Sequence, residues 1–426
     1  MKKKIAFKTL GCRLNQYETD SLISQFGKEG YDVVGFNDEA DVYVVNTCTV
    51  TNQSDHKSRN IIKQATRKGK EPVVVVTGCM ANNKKVSLLR QDKVSYVVEN
   101  RQKGSIFSII DKHFDGEITL PDNYESDPFN FEIGDRSLHV RGLVKIQDGC
   151  NNFCTFCIIP FVRGQAISRP VNDVLENVRQ LVKSGYKEIV LTGVNIGRYE
   201  FGSVNFEDLV EKILELEGDF RIRISSIEPE GFGDKLFGLM NHPKLVPHMH
   251  ICLQSGSEKI LHNMRRMYTA SEFSLMVDKL KKQRPDINLT TDMIVGFPGE
   301  TEEDHRQSLA MVEKIGFSHV HTFKYSERDG TRAVRMEGKV PGPVMSQRSE
   351  DIRQLSERLK REYRSGFIGK TQSVIIEKAY NGIATGHSEH FIPVKIEDKS
   401  IKRGQQVEVE IISIEDGEDP CLIGIV

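Results

Sequence analysis

Short, β-branched apolar runs alternate along this chain with longer stretches whose apolar residues recur every three or four positions. That alternation predicts parallel strands joined by helices lying on the sheet. IAFKTL, DVYVVN and PVVVVTG read as the first three strands; a helical segment through Leu22 to Phe26 follows the first, and one spanning Lys57 to Lys68 follows the second. From Gly142 the pattern resumes with GLVKIQ, EIVLTG, RIRISS, HMHICLQ, LTTDMIVG and HVHTFKYS as strands, separated by helices such as VNDVLENVRQLVKSG and EEDHRQSLAMVEKIG. Six such units predict a partial parallel barrel whose site lies at the carboxyl ends of the strands. After Gly366 the helical period stops, and QSVIIEKA, NGIATGHS, FIPVKI and QQVEVEIISI predict a small antiparallel β-barrel. The expected architecture is multidomain α/β. A parallel α/β domain occupies residues 1–115, an acidic, aperiodic linker 116–135, a partial (βα)6 barrel 136–362 and the terminal β-barrel 363–426.

Composition narrows the setting. The chain has 426 residues, 28% of them charged, with a net charge of −1. No apolar run approaches the roughly 20 residues that span a bilayer, and MKKKIAFKTL passes into a strand rather than into a signal peptide's apolar segment. A cytoplasmic protein without membrane attachment is expected. The balanced charge gives no global argument for nucleic acid, so any RNA contact must come from local patches.

Eight cysteines in a reducing compartment read as metal or redox ligands rather than disulfides. Six fall into two groups of three, and Cys252 and Cys421 are left over as buried or incidental thiols. Cys150, Cys154 and Cys157 lie in one loop, CNNFCTFC. A structural zinc loop would want a fourth ligand nearby, and His242 and His248 are too distant in sequence. Three thiolates can instead hold three corners of a cubane cluster and leave one iron open to a small molecule. Cys12, Cys48 and Cys79 each follow a predicted strand of the first domain, which places them at one end of one sheet as a second three-ligand site.

The ends of the central strands are polar: Gln147 and Asp148, then Thr192, Gly193 and Asn195, then Ser226 and Glu228, then Gln254 and Ser255, then Asp292. Their hydroxyl, amide and carboxylate groups suit a nucleoside and the charged ends of an amino acid. Tyr325, Arg328 and Arg332, near the last strand's end, are placed to meet a large substrate. The basic helix after Cys48 and the later mixed-charge helix carrying Arg348, Arg353, Arg358 and Arg364 read as solvated or salt-bridged faces. In the terminal barrel the acidic EDGED stretch weakens a phosphate-binding reading, and Tyr380 and Phe391 are the candidate aromatic contacts.

TLGCRLNQYETD, VVNTCTVT, TGCMA, CNNFCTFCIIP, LQSGS, DMIVGFPGET and YSERDGTRA occur in the order found in the radical S-adenosylmethionine methylthiotransferases, which the chain resembles over essentially its whole length. GCRLNQYETD and FKYSERDGTRA are most similar to the branch acting on N6-threonylcarbamoyladenosine at position 37 of tRNA. Branches modifying isopentenyladenosine or ribosomal protein S12 are less similar. LTGVNIG departs from the acidic motif that many radical enzymes carry after the second strand. The resemblance implies two [4Fe–4S] clusters, S-adenosylmethionine at the open iron of the Cys150, Cys154 and Cys157 cluster, and cofactor contacts from Phe156 and the strand-end residues. It also implies a terminal TRAM barrel, sulfur carried at the Cys12, Cys48 and Cys79 cluster, and the anticodon stem-loop of tRNA as partner. An external electron donor and a sulfur donor are expected, and no stable protein partner. A non-catalytic iron–sulfur RNA-binding protein is the alternative of a different class.

Overall fold

The computed structural model describes residues 2–69, 71–131, 139–417 and 419–426. The last residues of the expected linker, 132–135, the expected domain start at 136, and Glu418 of EDGED lie outside them. The chain forms two compact units. One comprises the chain up to residue 131 with Lys145–Arg169 and Ser326–Val334; the other comprises His139–Val144, Pro170–Tyr325 and Arg335–Val426.

The first unit is built on a five-stranded parallel sheet. In chain order its strands are β1 (Lys4–Thr9), β2 (Asp32–Val34), β3 (Val42–Thr47), β4 (Val73–Gly78) and β5 (Tyr96–Val98), arranged β2-β1-β3-β4-β5. Helices α1 (Arg13–Lys28), α2 (Asn52–Ala65), α3 (Cys79–Leu89) and α4 (Ile106–Phe114) connect and cover it. VYVVN and VVVV are uninterrupted apolar runs because both faces of the sheet are covered. Successive side chains alternate between two cores: Val42, Val44, Val73 and Val75 pack with Leu22, Phe26, Ile106 and Ile110, while Tyr43, Val45, Val74 and Val76 pack with Ile62, Ala65, Met80 and Leu88.

In the second unit, Gly142–Lys145, Glu188–Thr192 and Arg221–Ile224 form one three-stranded sheet, and His248–His250, Asn288–Val295 and His319–Lys324 form another. Parallel bridges Ile222 to Leu245 and Ile227 to Ile251 join them into the expected arc. The helix Gly342–Ser365 leads to a closed barrel of Thr371–Tyr380, Ile383–Ser388, Pro393–Glu397, Leu422–Ile425 and Gln406–Ile414. Leu422–Ile425 is a strand the pattern did not predict. Four residues, one of them glycine, carry too little alternation to register, and parallel pairing with Pro393–Glu397 creates the strand.

Glu188, at the start of its strand, fastens the two barrels of this unit together. Its carboxylate accepts from Arg141 Nε at 2.6 Å, Arg221 Nε at 2.6 Å and Arg223 Nε at 2.6 Å. Those guanidiniums reach the terminal barrel: Arg221 donates to the Ser373 carbonyl at 2.9 Å, Arg223 to the Glu389 carbonyl at 3.2 Å, and Arg141 pairs with Glu377 at 2.5 Å. Arg223 also stacks 4.7 Å from the Phe391 ring centroid. Phe391 is half-buried at this junction, whereas Tyr380 is 78% exposed. No helix among the described residues is long and apolar enough to cross a membrane.

Candidate active site

All six cysteines of the two predicted groups belong to the first unit. Cys12 is the N-cap of α1, Cys48 follows β3 directly, and Cys79 opens α3 after β4. Parallel strands with adjacent ends bring them together. The approach is close enough that Gly11, at φ +102°, has no room for a side chain: a Cβ there would sit 3.0 Å from Cys48 Cβ and 3.2 Å from its sulfur. Burial pushes the Cys48 thiol up, opposed by the Val50 amide and the Ser54 hydroxyl, which donate to the sulfur. Burial likewise raises Cys79, opposed by the Arg163 charge. Asn100 Nδ2 lies 4.0 Å from the Cys79 sulfur. Donors and cations aimed at sulfur favour thiolate, the form that binds iron, so these residues fit a cluster.

The second group is shaped by backbone. Gly149, at φ +71°, turns the chain into the loop where a Cβ would lie 2.0 Å from the Gln165 carbonyl oxygen, and Phe153 is also left-handed at φ +49°. The Cys157 amide donates to the Cys154 carbonyl at 3.0 Å and the Asn152 amide approaches the Cys150 sulfur at 3.5 Å. All three cysteines stay partly exposed, as ligands of an accessible cluster must. Among the described residues no cysteine is in a disulfide.

A buried ionic box lies beneath these loops. Glu18 on α1 accepts from Lys103, from Lys145 Nζ at 2.8 Å and from Arg163 at 3.1 Å. Asp148 pairs with Lys145 at 2.7 Å and Arg163 at 3.0 Å. Arg163 also donates to Asn15 Oδ1 at 2.7 Å, and Asn15 donates to the Leu10 carbonyl at 2.7 Å, just before Cys12. Burial alone would raise the Glu18 carboxyl, but Arg163, Lys103 and Lys145 overcome it and hold the group well below the usual carboxylate range. Three cations against two carboxylates leave one net positive charge beside the Cys12, Cys48 and Cys79 site. The sequence marked Asp148 only as a strand end and gave no sign that Glu18, Lys103, Lys145 and Arg163 would pair.

Arg328 and Arg332 also belong to this unit. Arg328 is fixed rather than presented: it donates to the Thr49 carbonyl at 2.7 Å, pairs with Asp55 at 3.2 Å and reaches Asn52. The Ala333 amide donates to the Thr155 carbonyl at 2.8 Å, so Ser326–Val334 ties the Cys48 turn to the Cys150 loop. Arg332 is exposed. Gln147 is fully buried and donates to the Asp148 and Gly149 carbonyls at 2.9 and 2.7 Å, shaping the loop. Phe156 lies within that loop, half-buried.

The remaining predicted residues, including Tyr325, belong to the second unit. Thr192 and Asn195 are buried and Gly193 and Ser226 half-buried beyond their strands. Glu228 is ion-paired with Arg266. Gln254 is held at φ +68°, a conformation costing a non-glycine residue about 1–3 kcal/mol, by exchange of backbone hydrogen bonds with Asp292 at 2.8 Å and Ile294 at 2.9 Å. The Ser255 hydroxyl meets the Ser257 amide at 3.2 Å and is spent on the turn. Glu300 accepts from the Gly296 amide and from Arg348 at 3.0 Å, which closes the GFPGE loop.

The C-x3-C-x2-C loop is the spacing of a radical S-adenosylmethionine enzyme. Residues 144–312 match the Radical SAM superfamily model, and residues 4–99 match the model described as Uncharacterized protein family UPF0004. The chain is 38% identical to the Threonylcarbamoyladenosine tRNA methylthiotransferase MtaB of Bacillus subtilis, over 96% of this chain and 93% of that protein. It is 36% identical to the MtaB of Thermotoga maritima (98% and 97% covered) and 32% identical to the tRNA-2-methylthio-N(6)-dimethylallyladenosine synthase of Thermodesulfovibrio yellowstonii (96% and 96%). In fold it is similar to the radical S-adenosylmethionine methyltransferase TsrM of Kitasatospora setae, solved with cobalamin and a [4Fe–4S] cluster bound. That similarity has a TM-score of 0.57 at 15% identity and covers 76% of this chain and 75% of that one. This chain belongs to the radical S-adenosylmethionine methylthiotransferase family.

Proposed function

We propose that this chain inserts a methylthio group at C2 of N6-threonylcarbamoyladenosine 37 in tRNA. The observation carrying this choice is that relatives named for that nucleoside are 35–38% identical over nearly the whole chain, against 30–33% for those named for the dimethylallyl derivative. Cys150, Cys154 and Cys157 would hold one cluster and Cys12, Cys48 and Cys79 the other. With S-adenosylmethionine bound, such a centre supplies the one-electron chemistry needed at a C–H bond that offers no acid–base route. The chain's own residues orient and enclose. Gln147 and Gly149 shape the first cysteine loop, Arg163 and Lys103 place positive charge beside the second site, and Arg328 braces the Cys48 turn. The polar strand ends from Thr192 to Ser255 would bind the nucleoside and amino-acid parts of the cofactor, with Tyr325 and Arg332 toward tRNA. An external electron donor and a sulfur donor complete the reaction, in the cytoplasm.

The test is mass spectrometry of tRNA nucleosides from cells lacking the protein and from the same cells with it restored. The 2-methylthio form of threonylcarbamoyladenosine should vanish and return. Loss of the isopentenyl derivative's methylthio group instead would move the chain to the other branch.

A further inference from the structure

Outside the six cluster cysteines, His250, Cys252 and Asp292 present one imidazole nitrogen, one sulfur and one carboxylate oxygen, all within 4.8 Å of one another. The strand pairing explains the convergence. His250 is in parallel register with Thr290, which shares a strand with Asp292 two residues on, and Cys252 follows His250 by two residues just beyond the end of its own strand. His250 Nδ1 lies 3.0 Å from Thr290 Oγ1, which turns Nε2 toward Asp292 Oδ1 at 3.4 Å. One ring nitrogen held by a polar neighbour while the other faces further donor atoms is the usual setting of a metal-bound imidazole. All three residues are half-buried, within reach of solvent ions.

We infer that His250, Cys252 and Asp292 form a divalent-cation site with three protein ligands and a fourth position for water. A mixed nitrogen, sulfur and oxygen set suits Zn2+ in tetrahedral geometry, and the 3.4 Å between His250 Nε2 and Asp292 Oδ1 matches two ligands of one ion. Binding replaces the S–H bond of Cys252 with a sulfur–zinc bond and releases its proton to solvent.

The test uses the full chain with its clusters rebuilt anaerobically, freed of loosely held metal and titrated with ZnCl2. One zinc per chain is expected, with a single sulfur and otherwise nitrogen and oxygen neighbours in zinc X-ray absorption, and iron content unchanged. His250→Gln, Cys252→Ser and Asp292→Asn should each weaken zinc binding at least tenfold, and Cys421→Ser should not. Equal zinc affinity in Cys252→Ser and the parent, or two or more sulfurs around the zinc, would overturn the assignment. Should Cys252→Ser fail to fold, unchanged zinc affinity in both other variants would overturn it as well.

Discussion

Glu18 and Glu188 are two buried carboxylates, each ringed by three cations and held well below the usual carboxylate range against the effect of burial. Their surroundings differ. Glu188 sits at the start of a barrel strand, and its arginines spend their remaining donors on the terminal barrel, at Ser373, Glu389 and Glu377. Glu18 sits on the helix that Cys12 caps, and its partner Arg163 follows the Cys150 loop and lowers the Cys79 thiol against burial. The same device fastens two barrels in one unit and places positive charge beside Cys79 in the other. Neither is a strong source of stability in itself, because desolvation consumes most of the Coulombic gain, yet removing one member leaves unpaired buried charge.

That comparison can be broken by paired substitutions. Glu18→Gln should cost about 3–5 kcal/mol in urea unfolding, since it strands Lys103 and leaves Lys145 and Arg163 to share Asp148, and should also lower the iron retained per folded chain after anaerobic loading. Glu188→Gln should cost a similar 3–5 kcal/mol while leaving iron content and visible absorption of the folded protein intact; equal iron loss would erase the distinction. Arg328→Lys, which gives up the fork to Thr49 and Asp55, should cost about 1–3 kcal/mol and speed hydrogen exchange at the Cys48 turn with little change elsewhere.

Acid titration sharpens the comparison at smaller amplitude. A carboxyl whose folded pKa is depressed contributes stability that is present above its unfolded pKa, about 4.3 for glutamate, and is lost as pH falls toward the folded value. Between those two values each of Glu18 and Glu188 should steepen the loss by up to about 1.4 kcal/mol per pH unit. Thermal melts between pH 5 and 3 should therefore be flatter in Glu188→Gln than in the parent.

Much of this was legible in the chain. VYVVN and VVVVTG announce a doubly covered parallel sheet, and that topology alone brings Cys12, Cys48 and Cys79 to one end. The CNNFCTFC spacing marks the other site without help from the fold. What sequence did not carry is partner choice among charges. Lys145 lies inside an apolar run and Arg163 inside FVRG, and only three-dimensional packing pairs them with Glu18, 127 and 145 residues away. Arg328, at a position suggesting substrate contact, is likewise tied to Thr49 and Asp55, nearly three hundred residues upstream. Cys252, set aside as incidental, gains meaning only from the register that aligns it with His250 and Asp292.

Separate jobs for the two three-cysteine groups can be read from purified, reconstituted protein and tRNA by measuring 5′-deoxyadenosine and methylthiolated nucleoside in the same reaction. Cys154→Ala should produce neither. Cys48→Ala should still produce deoxyadenosine and no methylthiolated nucleoside. Deoxyadenosine from Cys154→Ala, or full methylthiolation by Cys48→Ala, would contradict the account.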